Sequence, residues 1–281
     1  MDLASEIERN VEAALAEDIG AGDWTVLLTP AGTNASATVV CRSRGVLCGQ
    51  HWANACFRRL DPAASLTWHL NDGDTLAPGS RVCEIKGQAR ALLTGERTAL
   101  NFLQTLSAVA SATRLYVDAV AGTRAAIVDT RKTLPGLRLA EKYAVTVGGG
   151  KNHRLGLYDG ILIKENHIAA AGGVTRALVE ARKVAPAGVW IQIEVETLEQ
   201  LAEALKGGAR MILLDNMGAA EMTEAVRITA GRAELEASGG ITLDNVRAIA
   251  ETGVDRISIG ALTKDIEAVD LSMRFDSIRE R

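Results

Sequence analysis

Aromatic residues make up only 4% of this 281-residue chain, and no surplus of positive charge goes with them. Thirty-one Lys and Arg stand against 35 Asp and Glu, a formal net charge of -4 with a pI of 5.7. A protein that coats nucleic acid carries excess Lys and Arg over the whole domain, with stacking rings between them, so that class is excluded. Also missing is any apolar run approaching the roughly 20 residues that cross a bilayer. The first residues, MDLASEIERNVEAAL, alternate acids with apolar side chains and show no basic-then-apolar signal. The expectation is a cytoplasmic protein with no membrane and no nucleic-acid partner. Cysteine is scarce too: Cys41, Cys48, Cys56 and Cys83 all fall in the first third, without a close metal-type pair. They read as buried thiols of a reducing compartment. A zinc site at Cys48, His51 and Cys56 lacks its fourth ligand.

What the chain does have is a local concentration of cations. Between Asp129 and His167, Arg131, Lys132, Arg138, Lys142, Lys151, Arg154 and Lys164 face only Asp129, Glu141, Asp159 and Glu165, so seven against four leaves the stretch at +3. A solvated helix face is the bland explanation of a charge run. It fits poorly here, because the cations flank apolar runs and sit beside Gly, Pro and two His. Positive charge gathered in one place within an acidic protein suits a small polyanionic ligand.

With 47% hydrophobic residues the chain can bury one large core or two unequal ones, and its pattern changes near residue 110. The first part opens with a helix in which Leu3, Ile7, Val11 and Leu15 recur every four residues and Ser5 helps fix the start. Strands are expected at 37–41, 46–50, 66–70 and 81–86, then a long helix over 93–120. The second part alternates strand and helix, with strands at 126–129, 160–164, 190–195, 210–215, 234–238 and 256–259. Continuous apolar runs separated by helices imply parallel strands covered on both faces. Six such strands point to an α/β fold built as an incomplete barrel, with an open doubly wound sheet as the alternative.

In either fold, ligands bind beyond the carboxyl ends of the strands, and each end here carries polar residues or glycine. Thr130, Arg131 and Lys132 follow the first strand, Lys164 and His167 the second, Glu194 and Glu196 the third, and Asp215 the fourth; Ser238-Gly239-Gly240 and Ser258-Ile259-Gly260 follow the last two. Glu196 lies past its strand end, which leaves Glu194 as the inward carboxylate. Ser-Gly-Gly before a helix, and Ser-Ile-Gly-Ala, offer backbone N–H groups to a phosphate, though glycines at such places also cap helices. Glu194 and Asp215 suit ribose hydroxyls or a divalent ion. Asp215 could instead cap a helix beginning near Met217.

The motifs GERTALNFLQTLSAVASAT, TRKTLPGLR, EKYAV, GGGKNHR, IKENH, EVET, LLDN, SGGI and SIGALT, in this order, resemble those of the quinolinate phosphoribosyltransferases, the decarboxylating nicotinate-nucleotide pyrophosphorylases. The resemblance implies an amino-terminal α/β sandwich-like domain over 1–108, with 268–281 packing back on it, and an incomplete TIM-like α/β barrel over 109–267. It implies transfer of phosphoribosyl from 5-phosphoribosyl 1-pyrophosphate to quinolinate, with Mg2+, giving nicotinate mononucleotide, pyrophosphate and CO2. It also implies a homodimer with shared active sites.

Carried onto this chain, the resemblance makes Arg97, Arg131, Arg138, His153, Arg154 and Lys164 the quinolinate pocket, with Arg97 from the partner subunit. Lys132 reaches the phosphoribosyl donor, Glu194 and Asp215 hold ribose hydroxyls and accompany the magnesium, and Thr130, Ser238, Gly239, Gly240, Ser258 and Gly260 surround the phosphate. After SIGALT the family often has His where this chain has Lys264, so that position is left out of the site. Two other readings stay open. A relative linked to molybdenum transport shares TRKT-like and GGG-HR-like pieces but lacks IKENH and the Arg of PGLR. A lyase would use Lys164 as a Schiff-base lysine, isolated among apolar groups.

Overall fold

The computed structural model describes residues 2–279; Met1 and the last two residues of the returning segment, Glu280 and Arg281, lie outside them. The chain forms two compact units that interleave along the sequence. Met1–Arg114, Leu134–Gly149 and Thr263–Arg281 make the first, and Leu115–Thr133 and Gly150–Leu262 the second.

In the first unit, α1 (Leu3–Ile19) buries Val11 and Leu15, and Leu3 and Ile7 pack partly on the same core. Its cap is Asp2, whose carboxylate accepts the Ser5 N–H at 3.2 Å and the Ser5 hydroxyl at 2.7 Å. Ser5 is therefore the donor to the cap, one turn inside the helix, because an Asp at the N-cap position satisfies orphan amides. Next come β1 (Asn34–Cys41), β2 (Gly45–Val46), α2 (Gln50–Leu60), β3 (Ser65–Trp68), β4 (Thr75–Leu76), β5 (Arg81–Gln88) and α3 (Ala89–Ala119). The strand expected at 46–50 is only Gly45–Val46. Gly49, at φ 113°, turns the chain, and Trp52, Ala53, Cys56 and Phe57 then form the buried stripe of a helix the sequence reading missed.

The unit is completed by α4 (Arg138–Val147) and β12 (Leu271–Arg279). Strand β12 pairs antiparallel with β1, β1 with β5 and β5 with β3. Along β1, Ala35, Ala37, Val39 and Cys41 are buried on the core face, while on the other face Asn34 is exposed, Ser36 and Val40 are half-buried and Thr38 is buried, its hydroxyl donating to Asp276 at 2.6 Å. All four cysteines are buried free thiols. Burial pushes Cys56 and Cys83 up to about 12, and no cluster of three or more metal-binding side chains occurs among the described residues.

The second unit holds β6 (Ala126–Val128), β7 (Gly160–Ile163), α5 (Glu165–Ala171), α6 (Val174–Val184), β8 (Trp190–Val195), α7 (Leu198–Lys206), β9 (Met211–Asp215), α8 (Ala219–Thr229), β10 (Glu234–Ser238), α9 (Val246–Glu251) and β11 (Arg256–Ser258). All six strands are parallel, in the order β6-β11-β10-β9-β8-β7. From β7 to β11 each strand pairs with the next in sequence, and β11 then pairs with β6. The order is thus cyclic, with a single open seam between β6 and β7. A doubly wound sheet reverses direction at a switch point; this one does not, so the incomplete barrel is the fold. No helix among the described residues is long and apolar enough to cross a membrane.

Candidate active site

Register decides which side chains share the barrel mouth. Partners in a parallel ladder lie on one face, and residues two apart on a strand share that face. Glu194 pairs with Leu213 and Leu213 with Glu236; one step further, Asp215 pairs with Ser238. Glu194, Asp215 and Ser238 therefore project from the same side at the carboxyl ends of β8, β9 and β10. Lys164 is the first residue beyond β7, and Thr130 the second beyond β6.

Arg131, Arg154 and Lys164 line one cavity of about 570 Å³, together with His167, Leu157 and the apolar side chains of β7 and α6. Arg154 is buried and donates from Nη1 to the Gly160 carbonyl at 3.1 Å. Burial, and then the neighbouring Arg131 guanidinium, hold its pKa below the usual arginine value. The Arg131 Nε is buried with no hydrogen-bond partner among the described residues. Two like charges held together, one with an unsatisfied buried donor, cost stability, which the nearby Asp159 offsets in part at Arg154. Lys164 is exposed, unlike a Schiff-base lysine desolvated among apolar groups; its cationic company suits an anion, although such neighbours can also activate a lysine.

The carboxylates lie beside these cations. Burial raises the pKa of Glu194, Asp215 raises it further, and Lys164 opposes both. Burial also raises Asp215, with Lys164 and Lys132 pulling the other way. Asp215 accepts from Asn216 Nδ2 at 2.8 Å. It caps no helix: α8 starts at Ala219 behind Gly218, whose N–H is taken by Glu221. The N-cap alternative for Asp215 is thereby removed.

Around the glycines the backbone is tight. Asn216 has φ 55° and donates its N–H to the Ser238 carbonyl, and Gly239 has φ 96° and faces the Asn216 side chain. Ser238-Gly239-Gly240 does not abut a helix, contrary to expectation, since α9 begins only at Val246; Asn245 instead ties Gly240 and Thr242 into a turn. Any phosphate held here is met by loop amides, not by a helix end. A Cβ at Gly260 would come 3.0 Å from Lys132 Cδ and 3.6 Å from Thr130 Oγ1, so glycine lets Lys132 pass over it. Ser258 is buried, with a long 3.4 Å bond to the Ala237 carbonyl.

Two expected residues belong to the first unit: Arg97, exposed on α3, and Arg138, the half-buried first residue of α4. His153 is in the second unit, buried, and both its ring nitrogens have protein partners, Arg154 N–H at Nδ1 and Gln192 Oε1 at Nε2. Sequence reading missed Gln192 and the buried Glu236 to which it is bonded. The signal that finds them is parity, because they stand two residues before Glu194 and Ser238 on the inward face.

Comparison with known proteins gives the family. The model for the quinolinate phosphoribosyl transferase N-terminal domain matches residues 23–107, and that for the C-terminal domain matches 109–274. A probable nicotinate-nucleotide pyrophosphorylase [carboxylating] of Bacillus subtilis is 44% identical over 92% of this chain and 89% of its own length. Quinolinate phosphoribosyltransferase [decarboxylating] 1b of Nicotiana tabacum is 39% identical over 95% of this chain and 81% of its own. The solved nicotinate-nucleotide pyrophosphorylase of Francisella tularensis superposes with a TM-score of 0.93 at 43% identity, over 97% of this chain and 96% of that one. With both domain models matched in order across an incomplete barrel whose mouth carries clustered arginines and paired carboxylates, the chain belongs to the quinolinate phosphoribosyltransferase family.

Proposed function

We propose that this protein transfers the phosphoribosyl group of 5-phosphoribosyl 1-pyrophosphate to quinolinate, releasing pyrophosphate and CO2 and forming nicotinate mononucleotide for NAD biosynthesis. The observation that carries the reading is the Arg131–Arg154 pair, two guanidiniums close enough that one lowers the pKa of the other, in a cavity that Lys164 also lines. Quinolinate is a planar dianion. Guanidinium forks match its carboxylates, and Lys164 adds a point charge.

The chemistry asks for placement more than for a covalent intermediate. Pyrophosphate departs, the ribose carbon becomes cationic and the pyridine nitrogen attacks it; Lys132 and the loop amides from Ser238 to Gly240, with Gly260, Thr130 and Ser258, hold the donor's phosphates. Glu194 and Asp215 accept from the ribose hydroxyls. Their adjacency, which raises the pKa of Glu194, also suits a magnesium ion carried in on the pyrophosphate; Mg2+ supplies charge neutralisation there. Once alkylated, the pyridinium nitrogen stabilises by its positive charge the electron pair left on the neighbouring ring carbon when its carboxylate leaves as CO2, and a proton from solvent then takes the carboxylate's place on that carbon. Arg131 and Arg154 orient that carboxylate and exclude water.

The reading includes a homodimer in which Arg97 of the partner subunit joins the quinolinate pocket. Support comes from the first unit: Trp24 is 77% exposed and Leu28 85% exposed, and Trp24 and Leu93 share a surface cavity with Arg97. Exposed apolar side chains beside an arginine fit an isologous contact with a second copy. The test is nicotinate mononucleotide formation from quinolinate, the phosphoribosyl donor and magnesium, with nicotinate as control. Product from quinolinate alone is expected; none from folded protein overturns the proposal.

A further inference from the structure

Three side chains form a buried polar chain beneath the mouth of the barrel: His153 beyond β6, Gln192 on β8 and Glu236 on β10, with exposures of 8%, 1% and 1%. The hydrogen bonds fix its polarity. The Arg154 backbone N–H is 2.8 Å from His153 Nδ1, so that nitrogen presents a lone pair. The proton of a neutral ring then sits on Nε2, which is 2.9 Å from Gln192 Oε1. Gln192 in turn donates from Nε2 to Glu236 Oε2 at 3.1 Å. An imidazolium would set a second N–H against the Arg154 amide, donor facing donor. Glu236 lies 3.6 Å from Nε2 and Arg154 is next in the chain, while Asp129 accepts the His153 backbone N–H at 2.9 Å. The Trp190 ring stands edge-on to the imidazole at 5.2 Å.

Glu236 is not explained by folding. Its Oε1 is buried with no hydrogen-bond partner among the described residues, and an incompletely satisfied buried carboxylate costs stability. What the chain achieves is direction: it sets Gln192, Gln192 sets the imidazole, and the imidazole holds the amide of the residue whose guanidinium lines the cationic cavity.

We infer that Gln192 and Glu236 are positioning residues for quinolinate, holding His153 as a neutral ring protonated at Nε2 so that its Nδ1 anchors the Arg154 backbone. His153 is then a strut of the pocket and not one of its cations. The inference rests on the quinolinate reading above. It extends that reading by removing one residue from the charge that meets the ligand and adding two that never touch it.

Two experiments decide it. In 15N-histidine-labelled protein, with His153 assigned by its loss in His153→Asn, the ring should be the neutral Nε2–H tautomer at pH 7 without substrate; an imidazolium or an Nδ1–H tautomer overturns the inference. Kinetically, Gln192→Leu should raise the quinolinate KM about tenfold or more, the scale of a small misplacement, with little change in the KM of the phosphoribosyl donor. Glu236→Leu should raise the quinolinate KM likewise, and Glu236→Gln, which keeps a carbonyl for the Gln192 amide, should recover most of that loss. An unchanged quinolinate KM in Gln192→Leu, or equal damage from Glu236→Gln, counts against it. If the wild-type protein makes no nicotinate mononucleotide, the reaction reading fails, while the tautomer of the free protein still decides the network.

Discussion

Gly239 lies against Asn216 so closely that a Cβ on the glycine would overlap the Asn216 Oδ1 and come within 3.1 Å of its backbone nitrogen. The contact matters because Asn216 also donates to Asp215 and itself sits at a positive φ of 55°. Gly239→Ala should displace Asn216 and loosen Asp215. Its φ of 96° adds backbone strain of about 1–3 kcal/mol. The expected outcome is a lowered midpoint of unfolding and a loss of about tenfold or more in kcat/KM for the phosphoribosyl donor. Gly240→Ala is the matched control for strain alone: φ is 59° there but no atom lies within 4 Å of the added carbon. Equal kinetic damage in both variants would mean that the Asn216 contact is irrelevant.

Replacing Arg131 separates binding from folding. Its buried Nε is unpartnered, and its charge lowers the pKa of Arg154. Arg131→Met therefore relieves a repulsion and should leave thermal stability unchanged or raise it by about 0.5–1 kcal/mol. Quinolinate kcat/KM should fall about a hundredfold, near 2.7 kcal/mol. Calorimetry beside steady-state kinetics reads both; a variant that loses stability and keeps its kinetics refutes the assignment.

A different buried acid sets a pH dependence of stability. Glu141 on α4 is fully buried, accepts the Leu134 N–H at 3.1 Å through Oε2 and has an unpartnered Oε1. Burial pushes it from 4.5 up to about 8, against smaller opposing contributions from the Leu134 bond and Arg138. The folded state thus keeps a proton that the unfolded chain gives up. That contribution is complete below about 4.5, declines as pH rises and is gone above about 8. Glu141→Gln keeps an acceptor for Leu134 and cannot ionise. Melting curves from pH 5 to 9 should show the wild type losing stability relative to the variant across this window. Parallel curves would mean that Glu141 ionises normally.

Much of the second unit is legible in the chain because its strands are unbroken apolar runs, such as Ile161-Leu162-Ile163 and Ile212-Leu213-Leu214, that only a covered parallel sheet accommodates. Their order around the barrel follows from simple succession. Helix α2 escapes such reading because it begins at Gln50, one residue past Gly49 and an apolar trio, Val46-Leu47-Cys48, that looks like a strand, and its buried stripe runs from Trp52 to Phe57. The site divides the same way. Charged residues at strand ends announce themselves, since ions at the edge of apolar runs need a reason. Gln192 does not, because one neutral amide between two isoleucines carries no chemical signal until register shows that it points inward, toward Glu236 and His153. The Ser238-Gly239-Gly240 turn misleads for a related reason: glycines suggest a helix start, whereas the positive φ of Asn216 and the Asn245 bonds to Gly240 and Thr242 build a self-contained loop.

The proposed sharing of the active site between two copies has a quantitative consequence. If each site combines Lys132 of one subunit with Arg97 of the other, an Arg97→Ala chain and a Lys132→Ala chain are each inactive alone. In a mixed dimer, one site receives both substitutions and the other receives neither. Random reassortment makes about half of all dimers mixed, so about a quarter of the wild-type site activity should return. If Arg97 serves its own subunit, every site in every dimer keeps one substitution and nothing returns. Denaturing and refolding the two chains together, then assaying nicotinate mononucleotide, distinguishes the cases, with each chain refolded alone giving the baseline. Recovery near a quarter also requires that the exposed Trp24 and Leu28 surface re-form its contact. Trp24→Ala in both chains should therefore weaken dimers and reduce the recovery in proportion to the dimer lost, measured by sedimentation on the same samples.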